Sequence, residues 1–169
     1  MGFRKLLPEE IKCRVGRVYE SGCSLYLYFD ARTAMNILDD AVGAYHWQRI
    51  HENINGKVYC KVGVDATGEW IWKEDVGSAS YSEEAKGEAS DSFKRACISW
   101  GIGRCLYNLP QLYTRTVDVK SRNEPKSFYT YDEFAVSEVE YTKEGEIAYL
   151  RIINKTQKCD AYVYKRKEK

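Results

Sequence analysis

The segment that most constrains the fold is a stretch of helical periodicity near the middle of the chain. Its small and apolar residues recur three and four positions apart: Ala85, Ala89, Phe93, Ala96, Cys97 and Trp100. At 100° per residue these side chains occupy about a third of the helix circumference, so one face must be buried against another element. Ser82-Glu83-Glu84 predicts the start of this helix, and Gly101-Ile102-Gly103 is typical of a helix end followed by a tight turn.

Alternating patterns and turn residues predict strands on both sides of the long helix. The strands expected before it span residues 13–19, 24–29, 45–51, 57–64 and 69–77. Asp30 is a suitable N-cap, and Gly43 a suitable C-cap, for a shorter helix among these strands. Residues 116–128 are expected to form an exposed loop. A three-stranded meander is expected to follow it, over residues 134–142, 146–153 and 160–165.

These elements predict an α+β fold in which an antiparallel β-sheet or meander packs against one long helix, with a three-stranded β meander at the C-terminal end. The length of 169 residues suits one domain with a core of its own. Residues 1–110 are predicted to form its core, in the order strand, helix, β-meander, helix. Residues 111–169 are predicted to add a loop and the meander, packed on the same domain.

Composition narrows the classes of function. The net charge of +1 excludes a basic arm, so a nucleic-acid site would need local segregation of charge. The 14 Tyr and 4 Trp residues suit a core, base stacking or a subunit interface. No segment approaches the length of a membrane span, and the apolar run near the N-terminus is too short for a signal peptide. We therefore expect no membrane partner and a cytoplasmic protein.

Signals for metal and cofactor chemistry are weak. The six cysteines show no C-x-x-C spacing and the chain has only two histidines, so we expect reduced, mostly buried thiols and no zinc site. Gly101-Ile102-Gly103 follows a helix, whereas a dinucleotide-binding loop precedes one, and no Walker sequence occurs. Glu10-Ile11-Lys12 and the acids Glu69, Glu74 and Asp75 give a weak pattern for a metal-dependent nuclease.

The adjacent cations Lys94 and Arg95 have two interpretations. Lys94 lies almost opposite the apolar stripe, and Arg95 follows Asp91 by four residues. A solvated helix face would hold them through a weak Asp91–Arg95 ion pair. A phosphate site would use both as contacts to a nucleic-acid backbone. Helical spacing alone leaves both open.

The residues around this pair resemble the annealing domain of the Rad fifty-two family. In that family an E-D-x-G strand end precedes a helix K-E-A-x-x-D-x-x-K-R-A and then S-F-G. The corresponding stretches here are Glu74-Asp75-Val76-Gly77, the helix from Lys86 to Ala96, and Ser99-Trp100-Gly101. Arg32, the helix to Gly43, Tyr45 and Trp47 also follow the family's order of arginine, helix, tyrosine and tryptophan. The resemblance covers about residues 24–108.

The resemblance implies an ATP-independent protein of homologous recombination and DNA repair that binds single-stranded DNA and anneals complementary strands. It implies a homo-oligomer, as a ring or another multimer, whose basic groove holds the phosphates and leaves the bases exposed. No catalytic residue, metal or cofactor is expected. The DNA-binding candidates carried over from the family are Arg32, Tyr45, Lys86, Lys94 and Arg95. Ile98 stands where the family often has another arginine, and Arg104 is a candidate to replace that cation.

The short chain resembles a bacteriophage-encoded recombinase, which would act in the host cytoplasm. A single-strand-binding protein or a nuclease would be a further partner. Two alternatives from other classes remain. A metal-dependent nuclease of a recombination pathway would shorten a labelled strand when a divalent metal is added. A non-annealing RNA-binding or protein-interaction module would bind its partner without speeding the pairing of complementary strands.

Overall fold

The computed structural model describes residues 2–78, 84–123 and 126–167, with the backbone alone for residues 84–86. It has the predicted α+β fold, with mostly antiparallel strands, one longer helix and a three-stranded meander near the C-terminal end. In chain order the strands and α-helices are β1 (Lys12–Tyr19), β2 (Gly22–Tyr28), α1 (Ala31–Val42), β3 (Trp47–Ile54), β4 (Lys57–Ala66), β5 (Glu69–Val76), α2 (Glu84–Ser99), β6 (Leu112–Thr114), β7 (Lys120–Asn123), β8 (Lys126–Tyr129), β9 (Phe134–Tyr141), β10 (Ile147–Asn154) and β11 (Cys159–Lys165). None of the helices in these residues combines the length and apolarity that a membrane crossing needs.

The tertiary contacts divide the chain into two compact units, each made from two separate stretches. The first unit comprises Met1–Lys5 and Phe29–Arg104, and the second comprises Leu6–Tyr28 and Cys105–Lys169. The first contains both α-helices and the sheet β3-β4-β5, and the second contains the remaining strands. The predicted organisation as one domain, with a core that ends at residue 110, stays a prediction.

In the first unit, α1 begins and ends at the predicted caps. Asp30 Oδ1 accepts a hydrogen bond from the Thr33 N–H at 2.8 Å, which satisfies a backbone donor of the first turn. Gly43 has φ 84°, a conformation that favours glycine, and its N–H donates to the Asp39 carbonyl. The buried side chains of α1 include Ala34, Ile37 and Leu38.

The β3-β4-β5 sheet is an antiparallel meander with β4 in the centre. Its two turns contain Asn55-Gly56 and Thr67-Gly68, and all four residues have positive φ. That geometry belongs to tight hairpins whose twist matches the flanking strands. The predicted order of three strands before the long helix is therefore confirmed.

Helix α2 packs on β4 and β5 through the predicted stripe, in which Phe93, Ala96 and Cys97 are fully buried. The helix ends at a left-handed residue, Gly101, with φ 100°. The Gly101 and Ile102 N–H groups donate back to the carbonyls of Ile98 and Cys97, which is a Schellman motif. The Gly-x-Gly sequence is thus a helix end, as predicted. The predicted start at Ser82-Glu83 lies outside the described residues.

The second unit contains the sheet β1-β2-β6, the meander β9-β10-β11 and the hairpin β7-β8. Its fully buried side chains include Leu25, Leu150 and Ile152. The expectation of a loop over residues 116–128 is wrong, because β7 and β8 pair in register there from Lys120↔Tyr129 to Asn123↔Lys126. Every residue of β7 is exposed, so this strand lacks the alternation of buried and exposed positions from which a strand is predicted.

Candidate nucleic-acid interface

The short helix α1 and the loop after it place two of the predicted residues on the surface of the first unit. Arg32 lies in the first turn of α1 and is exposed, with no ion pair to any carboxylate that the structure describes. Tyr45 lies in the loop between α1 and β3 and is 94% exposed. A tyrosine so exposed adds little to a core, and its ring is accessible for stacking.

Trp47 fixes the chain just after Tyr45. Its indole Nε1–H donates to Asp39 Oδ1 in α1 at 2.6 Å. Its ring stacks on Phe93 of α2, with 6.1 Å between centroids and 25° between planes. Trp47 therefore ties the loop that carries Tyr45 to both helices of the unit.

The cations Lys94 and Arg95 follow the fully buried Phe93 on α2, and both are half-buried. Arg95 pairs with Asp75 of β5, with 3.4 Å between Nε and Oδ1. The Asp91–Arg95 ion pair of the solvated-face interpretation is absent from the described contacts, and Asp91 Oδ2 instead accepts hydrogen bonds from the N–H and hydroxyl of Ser78. The two acidic side chains thus bind different elements, although helical spacing alone favours Asp91 as the partner.

The Glu74-Asp75-Val76-Gly77 stretch at the end of β5 packs against α2 through its last residue. A Cβ at Gly77 would overlap the carbonyl oxygen of Glu88, so only glycine permits this close approach. Glu88 Oε1 also accepts from the Val58 N–H at 2.9 Å, and the Gly77 N–H donates to the Val58 carbonyl. These contacts hold α2 at a fixed distance from β4 and β5, and thereby place Asp75 beside Arg95.

Arg49 is a further cation near α2 that the sequence interpretation missed. It is exposed, and its guanidinium lies 4.7 Å from the centroid of the Phe93 ring. The signal was the alternation along β3, because Trp47, Arg49 and His51 point to the face that α2 covers. His51 Nε2 reaches the Ala89 carbonyl oxygen at 3.0 Å.

Arg104 has a structural role at the C-terminal end of α2. Its Nε–H donates to the Ile98 carbonyl at 3.0 Å, and its Nη2–H donates to the Ser99 carbonyl at 2.7 Å. Lys73 donates to the same Ser99 carbonyl and lies over the Trp100 ring. Cations suit this position because the last carbonyls of a helix carry partial negative charge. The backbone of Lys86, the sixth candidate, lies in α2, and its side chain is outside the described part.

The acidic and thiol groups serve other contacts. Within the described residues no group of three or more His, Cys, Asp or Glu side chains is arranged to hold a metal ion. Glu10 accepts from the Leu7 N–H, and Glu74 lies 4.0 Å from the Lys61 ammonium. Burial raises the pKa of the Cys60 thiol to about 11, and burial also raises the pKa of Cys97. Both thiols are therefore neutral and weakly nucleophilic near pH 7.

The similarity to known proteins extends beyond residues 24–108, which carry the resemblance seen in the sequence. Residues 4–126 match the family described as Rad52/22 family double-strand break repair protein. A protein named single-stranded DNA-binding protein DdrA, from Deinococcus radiodurans, is 33% identical over 123 residues, which cover 72% of this chain and 58% of that protein. A protein of the same name from Deinococcus deserti is 34% identical over 102 residues, which cover 59% of this chain and 49% of that protein. The chain thus spans about half the length of these curated relatives. No solved structure matches it.

Proposed function

Because the chain belongs to the Rad52/22 family of double-strand break repair proteins, we propose that it binds single-stranded DNA in DNA repair and anneals complementary strands. The process needs no ATP and involves no chemical step by the protein. The observation that supports the proposal is the Lys94-Arg95 pair on α2, in which Arg95 lies 3.4 Å from Asp75 of the Glu74-Asp75-Val76-Gly77 stretch. The names of the two Deinococcus relatives support single-stranded DNA as the ligand.

The proposed grip uses cations at phosphates and does not read bases. In this proposal Arg32, Lys94 and Arg95 supply positive charge, and Arg49, Lys86 and Arg104 are further candidates. The Arg95–Asp75 pair is partly exposed, so Arg95 exchanges its carboxylate for a phosphate at a cost of about 1 kcal/mol or less. Tyr45 stacks on the strand or packs against its sugars. A grip of this kind leaves Watson–Crick edges free for pairing.

A homo-oligomer is part of the proposal, and the outer face of the β3-β4-β5 sheet supports it. The face opposite α2 exposes large apolar side chains: Ile50, Ile54, Trp70 and Trp72. Trp72 lies over Gly63, where an added Cβ would come within 2.9 Å of its ring. An exposed apolar surface of this kind suits contact with a second copy. Repetition of the subunit would join one basic strip per copy into a track, despite a net charge of +1.

The proposal also covers the protein's assembly, its location in the cell and its protein partners. We expect a ring or filament of copies, a cytoplasmic location and a bacteriophage-type recombinase role. A single-strand-binding protein or a nuclease is a further expected partner. Mass photometry with and without single-stranded DNA tests the assembly, and a monomer unaffected by DNA would contradict it.

The test of the function is annealing of complementary oligonucleotides, followed by fluorescence quenching, with a melting curve on each sample. Lys94→Ala combined with Arg95→Ala should keep the melting temperature within a few degrees and lose most binding and annealing. Arg32→Ala should behave in the same way. Lys143→Ala, in the exposed turn between β9 and β10, is the control for Arg32→Ala, and Lys143→Ala with Lys167→Ala is the control for the double variant; both should anneal normally.

Full annealing by a folded double variant would refute the site. A labelled strand that shortens on a denaturing gel when Mg²⁺ is added would instead indicate a nuclease. Binding without faster pairing of complements would indicate a non-annealing RNA-binding or protein-interaction module.

A further inference from the structure

The second unit exposes a group of arginines and tyrosines on one face of its β1-β2 hairpin. This tyrosine face consists of Arg14, Arg17, Tyr19, Tyr26 and Tyr28. The residues Tyr19, Tyr26 and Tyr28 are 40%, 48% and 40% exposed. In register, Arg14 lies opposite Tyr26, which places them on the same side of the sheet.

The two arginines lie over the rings. The Arg14 guanidinium is 5.7 Å from the Tyr26 centroid and 6.0 Å from that of Tyr28, and the Arg17 guanidinium is 5.4 Å from Tyr19. Across the residues that the structure describes, neither arginine forms an ion pair with a carboxylate. Within the described part of the chain, the face therefore presents two arginines that are not ion-paired to an acidic side chain.

A β-bulge brings the two arginines to the same surface. Residues three apart on a regular strand point to opposite faces, but the register shifts between Val15 and Val18, and both arginines are exposed. Gly16 lies in the shifted stretch, where a Cβ would overlap the Tyr26 ring. The Tyr26 ring thus rests on the backbone of Gly16, and the residue remains 48% exposed.

The hairpin β7-β8 repeats the same combination in the same unit, and β8 packs beside β1. The Lys120 ammonium lies 5.0 Å from the Tyr131 centroid, and the Arg122 guanidinium lies 4.8 Å from that of Tyr129. Tyr131 is 70% exposed. Cations interleaved with accessible rings are the combination that holds single strands, because phosphates meet the cations while bases stack on the rings.

We propose that the tyrosine face is a second site for single-stranded DNA, in which bases stack on Tyr19, Tyr26 and Tyr28 and phosphates contact Arg14 and Arg17. This goes beyond the proposed function, because stacking occupies the bases that annealing must leave exposed. The second unit thus holds unpaired strand, whereas the first unit presents strand for pairing. A folded acidic protein fits less well, because it would supply carboxylates for the arginines but nothing flat for three tyrosines.

The test is ultraviolet cross-linking of oligothymidylate to the full chain, with mass-spectrometric mapping of the modified peptides. We expect adducts on tyrosines of residues 18–28 in the wild-type protein. Arg14→Gln with Arg17→Gln should remove most of these adducts. It should also reduce the slope of log affinity against log salt by about 1.4, since each phosphate contact on a single strand contributes about 0.7. Lys143→Ala with Lys167→Ala removes the same charge from exposed positions and should keep the adducts.

The outcome separates this site from the annealing site. In the protein with Lys94→Ala and Arg95→Ala, adducts on the tyrosine face should persist even if annealing is lost. Wild-type adducts confined to residues 29–104 would overturn the second site and leave the proposed function intact. Full adduct yield in the Arg14, Arg17 variant would also overturn it. So would displacement of the strand by poly-aspartate at equal charge concentration, because that would show recognition of charge without stacking.

Discussion

The two partners of the Arg95–Asp75 ion pair should have opposite effects on DNA binding when each is replaced. Arg95→Ala removes a proposed phosphate contact, whereas Asp75→Asn removes the carboxylate that competes with phosphate for Arg95. The Asn variant keeps an oxygen where Asp75 Oδ1 accepts from the Val76 N–H at 2.7 Å, so the end of β5 should retain its local structure. Arg95→Ala removes the contact between β5 and α2, whereas Asp75→Asn removes its charge and keeps an oxygen that can accept from Arg95 Nε.

The structure bounds the magnitudes. The side chains of Arg95 and Asp75 are 42% and 31% exposed and meet at 3.4 Å, so the pair contributes about 0.2–1 kcal/mol to stability. For a chain of this size that corresponds to a decrease in melting temperature of at most about 4 °C in either variant. Arg95→Ala should lower the salt slope of single-strand binding by about 0.7. Asp75→Asn should raise affinity by up to about fivefold, the factor that 1 kcal/mol represents.

Fluorescence anisotropy of a labelled oligothymidylate over a series of KCl concentrations measures both effects, with a melting curve for each variant. Glu69→Gln, at an exposed position of β5, changes the net charge as Asp75→Asn does and should leave affinity nearly unchanged. If both members of the pair shift affinity in the same direction at equal stability, Arg95 does not exchange between Asp75 and phosphate, and the reasoning is wrong.

Other expectations concern stability and reactivity. Phe93→Ala should lower the free energy of unfolding in urea by about 3–5 kcal/mol, because the ring is fully buried; a loss below about 1 kcal/mol would contradict the packing. Arg104→Ala should cost about 1–2 kcal/mol in the same assay through its two bonds to the end of α2, and no loss relative to Lys143→Ala would exclude that role. Burial raises the pKa of Cys23 and Cys60 to about 11, so at pH 8 iodoacetamide should modify them only in urea; mass spectrometry showing rapid native labelling would contradict this.

Local signals in the sequence predicted most of the elements of the first unit. The caps at Asp30 and Gly43 and the apolar stripe of α2 depend on residues within a few positions of one another, so spacing reveals them. The partner of Arg95 does not follow such a rule. Asp75 is 20 positions away and becomes the partner only because Gly77 lets α2 approach β5 closely.

The missed features of the second unit have a similar cause. The pairing of β2 with β6 places Cys23 opposite Thr114, and residues 29–104 of the first unit lie between these two positions in the sequence. The hairpin β7-β8 places cations over rings and leaves its first strand entirely exposed, so it lacks a hydrophobic pattern. Likewise, the tyrosine face depends on a bulge in β1. Regular alternation along the strand would place Arg17 on the side opposite Arg14, but the bulge brings both arginines to the same side.

The interleaving of the two units along the chain sets an order for folding during synthesis. Residues 29–104 supply nearly all of the first unit and can fold once they have left the ribosome. Strand β2 is made before them, but its partner β6 follows about 80 residues later. At about 5–20 residues per second, the free edge of β2 waits on the order of 4–16 s for that partner. During this interval the nascent hairpin β1-β2 is only marginally stable and has an unpaired strand edge. In this state neighbouring nascent chains would most readily aggregate through that edge, and a chaperone would protect it.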